Sequence, residues 1–308
     1  MAHKRRGTPI HGWLVLDKPL GVTSSHAVLA VRRTLDATKA GHGGTLDPLA
    51  TGVLPIALGE ATKTVQWAIA GRKTYRFGLR WGEARATDDA EGAVTATSAV
   101  RPTTAAIEAV LPRFCGAVLQ QPPAYSALKI EGARAYDRAR AGETVELAPR
   151  MVEIDAVRLL ARPDADHADF EAVVGQGTYI RALARDIGIA LGTVAHVVAL
   201  RRLAVGRFTL EQAISLDNLA ALGHSAAAFE HLLPIETALD DIPALALSEA
   251  EAHRLRRGQT VILQRLCEGA HVDHLGTGAT VCATTNGKLV ALAEIIAGEL
   301  RPVRVMNF

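Results

Sequence analysis

Gly41-His42-Gly43-Gly44-Thr45-Leu46-Asp47-Pro48-Leu49-Ala50-Thr51-Gly52-Val53-Leu54-Pro55 packs four glycines, two prolines and one carboxylate into a stretch with little hydrophobic period. It reads as a shaped loop, since glycine admits left-handed backbone and close approach. The apolar run Val53-Leu54-Pro55-Ile56-Ala57-Leu58 follows it. Upstream, Gly12-Trp13-Leu14-Val15-Leu16 reads as a strand that ends at Pro19 and Gly21. Thr23, Ser24 or Ser25 can cap the next helix, whose Ala27, Val28, Val31 and Leu35 fall on one face.

Downstream, Tyr75, Phe77 and Leu79 alternate along a strand from Lys73, and a polar loop, 85–92, follows. Residues 104–112 read as a helix. The segment 120–150, rich in Gln, Pro, Arg and Gly, reads as an excursion from the domain. Strands are expected at about 151–161 and 168–174. A helix is expected at 179–191, with Ile180, Leu183, Ala184, Ile187 and Leu191 buried and Gly192 at its C-terminal end. The composition shifts near Pro234 and Pro243. Ser248-Glu249-Ala250-Glu251 matches a capping box, and Asn286-Gly287 between apolar runs signals a hairpin. The layout is therefore a basic flexible tail at 1–11, a main domain at 12–243 and a small β-rich module at 244–308. Deleting that module is expected to leave an active core.

The chain has 308 residues, 49% hydrophobic and 21% charged, which suits one large domain plus a small one. Its net charge of +2 neither demands nor excludes a nucleic acid. No apolar run is long enough to span a membrane, and no apolar segment follows the basic start, so neither a membrane anchor nor a secretory signal is expected. Cys115, Cys267 and Cys282 form no disulfide framework and fit a reducing cytosol. Cys267, His271, His274 and Cys282 match no zinc spacing, so no metal is expected. Gly59-Glu60-Ala61-Thr62-Lys63-Thr64 lacks the glycine before lysine that a phosphate-binding loop needs.

Residue types alone leave the chemistry open. Asp47 before Pro48 is either the carboxylate of a turn or a nucleophile or base held in a glycine loop. Arg181 is either a solvated helix charge or a partner for a carboxylate. Tyr75 on its strand face is core packing or an aromatic platform. Basic residues at 3–6, 129–140, 201–202 and 254–257 are ordinarily solvated faces; their number, interleaved with Tyr125 and Tyr136, raises the odds of phosphate contacts.

Taken together, the segments resemble the tRNA pseudouridine-55 synthase family (TruB). Leu16-Asp17-Lys18-Pro19 is similar to the family's opening motif, and 41–55 to its catalytic motif. Gly59-Glu60-Ala61-Thr62-Lys63, Tyr125-Ser126-Ala127-Leu128-Lys129, Gly177-Thr178-Tyr179-Ile180-Arg181 and Leu200-Arg201-Arg202-Leu203 follow in family order. The resemblance covers nearly the whole chain. It departs at Gly43, where relatives carry threonine and a looser loop is expected here. It departs again at Arg85-Ala86-Thr87-Asp88-Asp89, where relatives read Thr-Asp-Thr before the paired acids.

The resemblance implies an α+β fold: a mixed, largely antiparallel sheet flanked by helices, with a small C-terminal PUA-like RNA-binding barrel. It implies isomerisation of uridine, in which the C1′–N1 bond breaks and a C1′–C5 bond forms, with no cofactor. Asp47 would be the catalytic carboxylate, Arg181 its ion-pair partner and Tyr75 the ring stacked on the flipped uracil. His42 would fill the space the base leaves, and Tyr179 and Leu200 would line the pocket. Lys18, Lys63 and Lys129 would bind substrate. The partner implied is the T-arm stem-loop of tRNA, met by a cytoplasmic monomer without an obligatory protein partner. A dyskerin-like, guide-dependent synthase and a non-catalytic RNA-binding or chaperone protein are the alternatives.

Overall fold

The computed structural model describes residues 7–126, 129–130, 133–134, 138, 143, 147–263 and 276–308. Eight strands make the backbone of the main sheet: β1 (Gly12–Lys18), β2 (Ala50–Leu58), β3 (Lys73–Trp81), β4 (Gly116–Gln120), β5 (Arg150–Ala161), β6 (His167–Val174), β7 (Ala195–Val205) and β8 (Ile214–Ser215). Their order is β8-β1-β2-β7-β3-β6-β5-β4. The β1–β8 and β2–β7 pairs are parallel and the other neighbours antiparallel. The sheet is thus mixed and largely antiparallel, as the resemblance implied.

The central placement of β7 matters most. It lies between β2 and β3, with Arg202 opposite both Gly52 and Tyr75. Three segments far apart in sequence therefore meet beside the glycine-rich loop. Close approach makes glycine obligatory at 52. Its φ is +99°, and a Cβ there would lie 2.1 Å from the Arg202 carbonyl oxygen.

Alternation sorts the strand residues. Tyr75, Phe77, Leu79 and Trp81 are buried, whereas Arg76 is exposed. Helices α1 (Ser24–Thr34) and α2 (Ile180–Ala190) contribute Ala27, Val31, Leu183, Ala184 and Ile187 to the core of that face. Thr23 caps α1 by accepting from the His26 N–H, and Gly192, at φ +70°, follows the end of α2.

The C-terminal residues form a curled five-stranded sheet, half of a barrel. Its strands are β9 (Ala244–Ala246), β10 (Val261–Ile262), β11 (Thr280–Thr285), β12 (Lys288–Ile296) and β13 (Glu299–Val305), packed on α3 (Glu249–Arg256). The Ser248–Glu251 capping box and the Asn286-Gly287 hairpin turn both form.

Two expectations need correction. Residues 7–11 are not a loose tail: Thr8 bridges Ala37, and Ile10 is buried in the core. Residues 1–6 lie outside the described residues. Nor is the C-terminal module separate in packing. Its Cys282, Leu289, Leu292 and Met306 share a cluster with Trp13, Val15, Val53 and Phe208 of the main domain. Lys63 donates to the Val305 carbonyl (2.6 Å), and Glu60 accepts from the Asn307 N–H (2.7 Å). Deleting residues 244–308 bares this apolar face, and such faces drive aggregation. The truncated chain is expected to be insoluble or to lose its cooperative thermal transition. A soluble truncation melting at the full-length temperature would contradict the shared core.

Candidate active site

The loop of residues 43–49 joins the strand Ala40–His42 to its antiparallel partner β2. Side chains distant in sequence hold it. The Ser24 hydroxyl both donates to the Leu46 carbonyl (2.9 Å) and accepts from the Leu46 N–H (2.8 Å). Lys18 donates to the Pro48 carbonyl (3.4 Å) and to those of Pro19 and Val22. Arg202, 1% exposed, donates to the carbonyls of Val53 (2.8 Å), Gly44 (3.0 Å) and Thr45 (3.4 Å). These bonds bracket Asp47 on both sides. The loop is also tied at Gly43, whose N–H donates to the Pro55 carbonyl (2.7 Å).

Asp47 faces a cavity of about 240 Å³ lined by Thr45, Leu46, Tyr75, Thr178, Tyr179, Ile180, Arg181 and Leu200. Its side chain is 35% exposed, and the Arg181 guanidinium, only 5% exposed, meets it at 2.9 Å. Arg181 has further partners: it also donates to the carbonyls of Thr87 and Tyr125 (2.8 Å each) and stands 3.5 Å from the buried Asp89. Asp89 in turn accepts from the Thr87 hydroxyl and the Glu91 N–H. This is a fixed fork, the use for which arginine is suited and lysine is not. The result is one oriented carboxylate open to a small pocket with aromatic and apolar walls. The Thr178 hydroxyl, in the wall, has no hydrogen-bond partner among the described residues. The Asp47 carboxylate is able to act there as nucleophile or base toward a planar ligand with polar edges.

The TruB family pseudouridylate synthase N-terminal domain model matches residues 32–180, and the tRNA pseudouridylate synthase B C-terminal domain model matches residues 181–240. The tRNA pseudouridine synthase B of Rhodospirillum rubrum is 58% identical over 307 residues, with both chains covered completely. That of Bradyrhizobium diazoefficiens is 56% identical, covering 99% of this chain and 88% of its own.

The chain belongs to the TruB family of pseudouridylate synthases.

It is therefore an isomerase. Among solved structures, a chain in a Cbf5-Nop10-Gar1 complex aligns with a TM-score of 0.73 at 26% identity, covering 96% of this chain and 84% of its own. The match extends the likeness through the C-terminal half-barrel, which the two family models do not reach.

The structure brings Asp47, Tyr75, Tyr179, Arg181 and Leu200 into one pocket of this TruB-family chain. His42 is half-buried on the adjoining strand, paired with Ile56, and does not line the pocket. Two of the three lysines are engaged by the protein's own groups. Lys18 is fully buried beneath the loop, so it is an internal anchor and not a substrate contact. Lys63 is committed to Glu60 and the Val305 carbonyl, joining the two modules. Lys129 lies on a short strand paired with Arg134; its side chain is outside what is described. Arg201 and Arg202, one of the basic segments, also separate. Arg201 pairs with Asp17 through two bonds, and Arg202 is internal. Of the supposed zinc group, Cys267, His271 and His274 lie outside the described residues. Among those described, no cluster of His, Cys, Asp and Glu is placed to hold a metal, and no helix is long and apolar enough to cross a membrane.

Sequence reasoning missed Ser24, Asp89 and the internal role of Arg202. Asp89 stood in the acidic loop, but its partner is 92 residues away across the fold.

Burial brings the Lys18 ammonium down to about 8, with Asp47 raising it and Arg202 lowering it further. Between pH 8 and 10.5 the unfolded chain then holds a proton that the folded chain has lost at this site. Lys18 accordingly makes stability rise with pH in that window. Wild type should gain on Lys18→Met by roughly 1–3 kcal/mol between pH 8 and 10. Denaturant unfolding at the two pH values checks this. A constant difference would mean that Lys18 titrates normally.

Proposed function

We propose that this chain converts uridine 55 in the T loop of tRNA to pseudouridine, with Asp47 as the reacting carboxylate and the target base flipped into the Asp47 pocket. The observation that carries the reading is the Asp47–Arg181 ion pair at the mouth of a pocket walled by Tyr75, Tyr179 and Leu200. The relatives named for tRNA support the substrate.

The pocket suits the chemistry. The isomerisation is redox-neutral and transfers no external group, so oriented side chains suffice. A loop uridine costs less to extrude than one in a continuous duplex, and stacking in the pocket recovers part of that cost. Tyr75 supplies the aromatic face. Asp47 either adds covalently or removes a proton; both require a carboxylate. The C-terminal half-barrel and the 120–150 excursion grip the RNA, with the enzyme acting as a monomer in the cytoplasm without guide RNA or protein partner. Full-length alignment at 58% identity with a protein named for tRNA favours this over the guide-dependent alternative. The intact Asp47–Arg181–Asp89 network favours catalysis over RNA binding alone.

The test places three RNAs side by side: whole tRNA, an isolated T-arm hairpin, and a hairpin with a mismatched stem. Modification should be strongest on tRNA, weaker on the hairpin and largely lost on the opened stem. Changes to the anticodon should matter little. Equal activity on unstructured strands would defeat recognition by shape.

A further inference from the structure

We infer that Gln120 and Arg150, the paired residues at the mouth of the 120–150 excursion, are positioning residues that hold Tyr179 in place for the uridine. The inference rests on the proposed role of the pocket. It adds two residues that do not line that pocket and have no assigned part in the reaction.

Gln120 ends β4 and Arg150 begins β5, and the two are direct cross-strand partners. Both reach the same turn. Gln120, 1% exposed, spends its whole amide on the Tyr179 backbone: its Oε1 accepts from the Tyr179 N–H (2.8 Å) and its Nε2 donates to the Tyr179 carbonyl (3.2 Å). Arg150 takes the ring instead. Its guanidinium lies 5.1 Å from the centroid of the Tyr179 ring and donates to the Gly177 carbonyl. Gly177 itself has a φ of +88°, so this turn takes a conformation that favours glycine. The turn that leads into α2 is thus tied to Arg150 through the Gly177 carbonyl.

This arrangement fills a gap in the helix. Tyr179 stands at the N-terminal end of α2, and no side chain of its own caps that end. An aromatic at such a position would otherwise be free to swing. One strand residue fixes its backbone and its partner fixes its ring, by a contact whose geometry a planar cation supplies. Arg181, two residues further on, is tied to the same side through the Tyr125 carbonyl. The pocket wall is therefore set by the paired residues at the ends of β4 and β5. Small displacements of such a wall are costly in rate, because reacting groups must be held close to their productive geometry.

The experiment is a double-mutant cycle on the full chain with tRNA, read as the single-turnover rate of pseudouridine formation and, separately, as tRNA affinity. Arg150→Ala should slow the chemical step roughly ten- to hundredfold and leave affinity unchanged. Arg150→Lys should recover only part of the rate. In a Tyr179→Leu background, Arg150→Ala should add no further loss, because the interaction it serves is already gone. Gln120→Leu should behave alike, with thermal unfolding confirming that each variant is folded. Full additivity of the two losses would overturn the inference, since Arg150 would then act apart from Tyr179. A loss confined to affinity, with a shallower salt dependence, would overturn it in favour of a phosphate contact. If Tyr179→Leu alone left the rate untouched, the pocket assignment would be at fault, and the inference would fall with it.

Discussion

Asp47→Asn should bind tRNA within a few-fold of wild type and form pseudouridine at least about a thousandfold more slowly in a single turnover. The amide has nearly the same shape, and the loop around it is held by groups that the substitution does not touch. Ser24 still bonds Leu46, and Arg202 still bonds Gly44, Thr45 and Val53. Binding should therefore survive. An amide has neither the nucleophilicity nor the basicity of a carboxylate, so the chemical step should not. The measurement is rapid-quench kinetics with enzyme in excess. A rate near that of wild type would remove Asp47 from the mechanism.

Arg181→Lys should lower the same rate by roughly a hundredfold or more, again with little change in affinity. Arg181 holds Asp47, Asp89 and the carbonyls of Thr87 and Tyr125 at once. A lysine ammonium reaches only part of this set and leaves buried acceptors unpaired, which also costs stability. A lower melting temperature should accompany the slower step. A variant with unchanged rate but weakened tRNA affinity would make Arg181 a phosphate contact. Its 5% exposure argues against that role.

The sequence showed the elements more readily than the contacts. Alternation along Tyr75, Phe77 and Leu79 marked β3, and the stripe from Ile180 to Ile187 marked α2, because each pattern is local. The Asp47 loop was conspicuous for its glycines, yet residue types alone could not separate a turn carboxylate from a catalytic one. The family resemblance is what favoured the catalytic reading. The Asp47–Arg181 pair spans 134 positions and exists only because α2 packs against β7 and β3 of the sheet. Nothing local in Leu200-Arg201-Arg202 says that β7 enters the sheet between β2 and β3. Two adjacent arginines on a strand point to opposite faces, so Arg201 meets Asp17 while Arg202 is swallowed by the loop. Lys18 misled for the opposite reason. A lysine is ordinarily exposed, and here three backbone carbonyls satisfy it in the interior. The apolar seam between the modules was hidden as well, since each side reads as the core of its own unit.

The most direct test of the central claim is to incubate the wild-type chain with an unmodified tRNA transcript and map pseudouridine at single-nucleotide resolution. The account predicts one modified position, uridine 55 in the T loop, formed without guide RNA or added cofactor. No pseudouridine, or pseudouridine only outside the T loop, would contradict it.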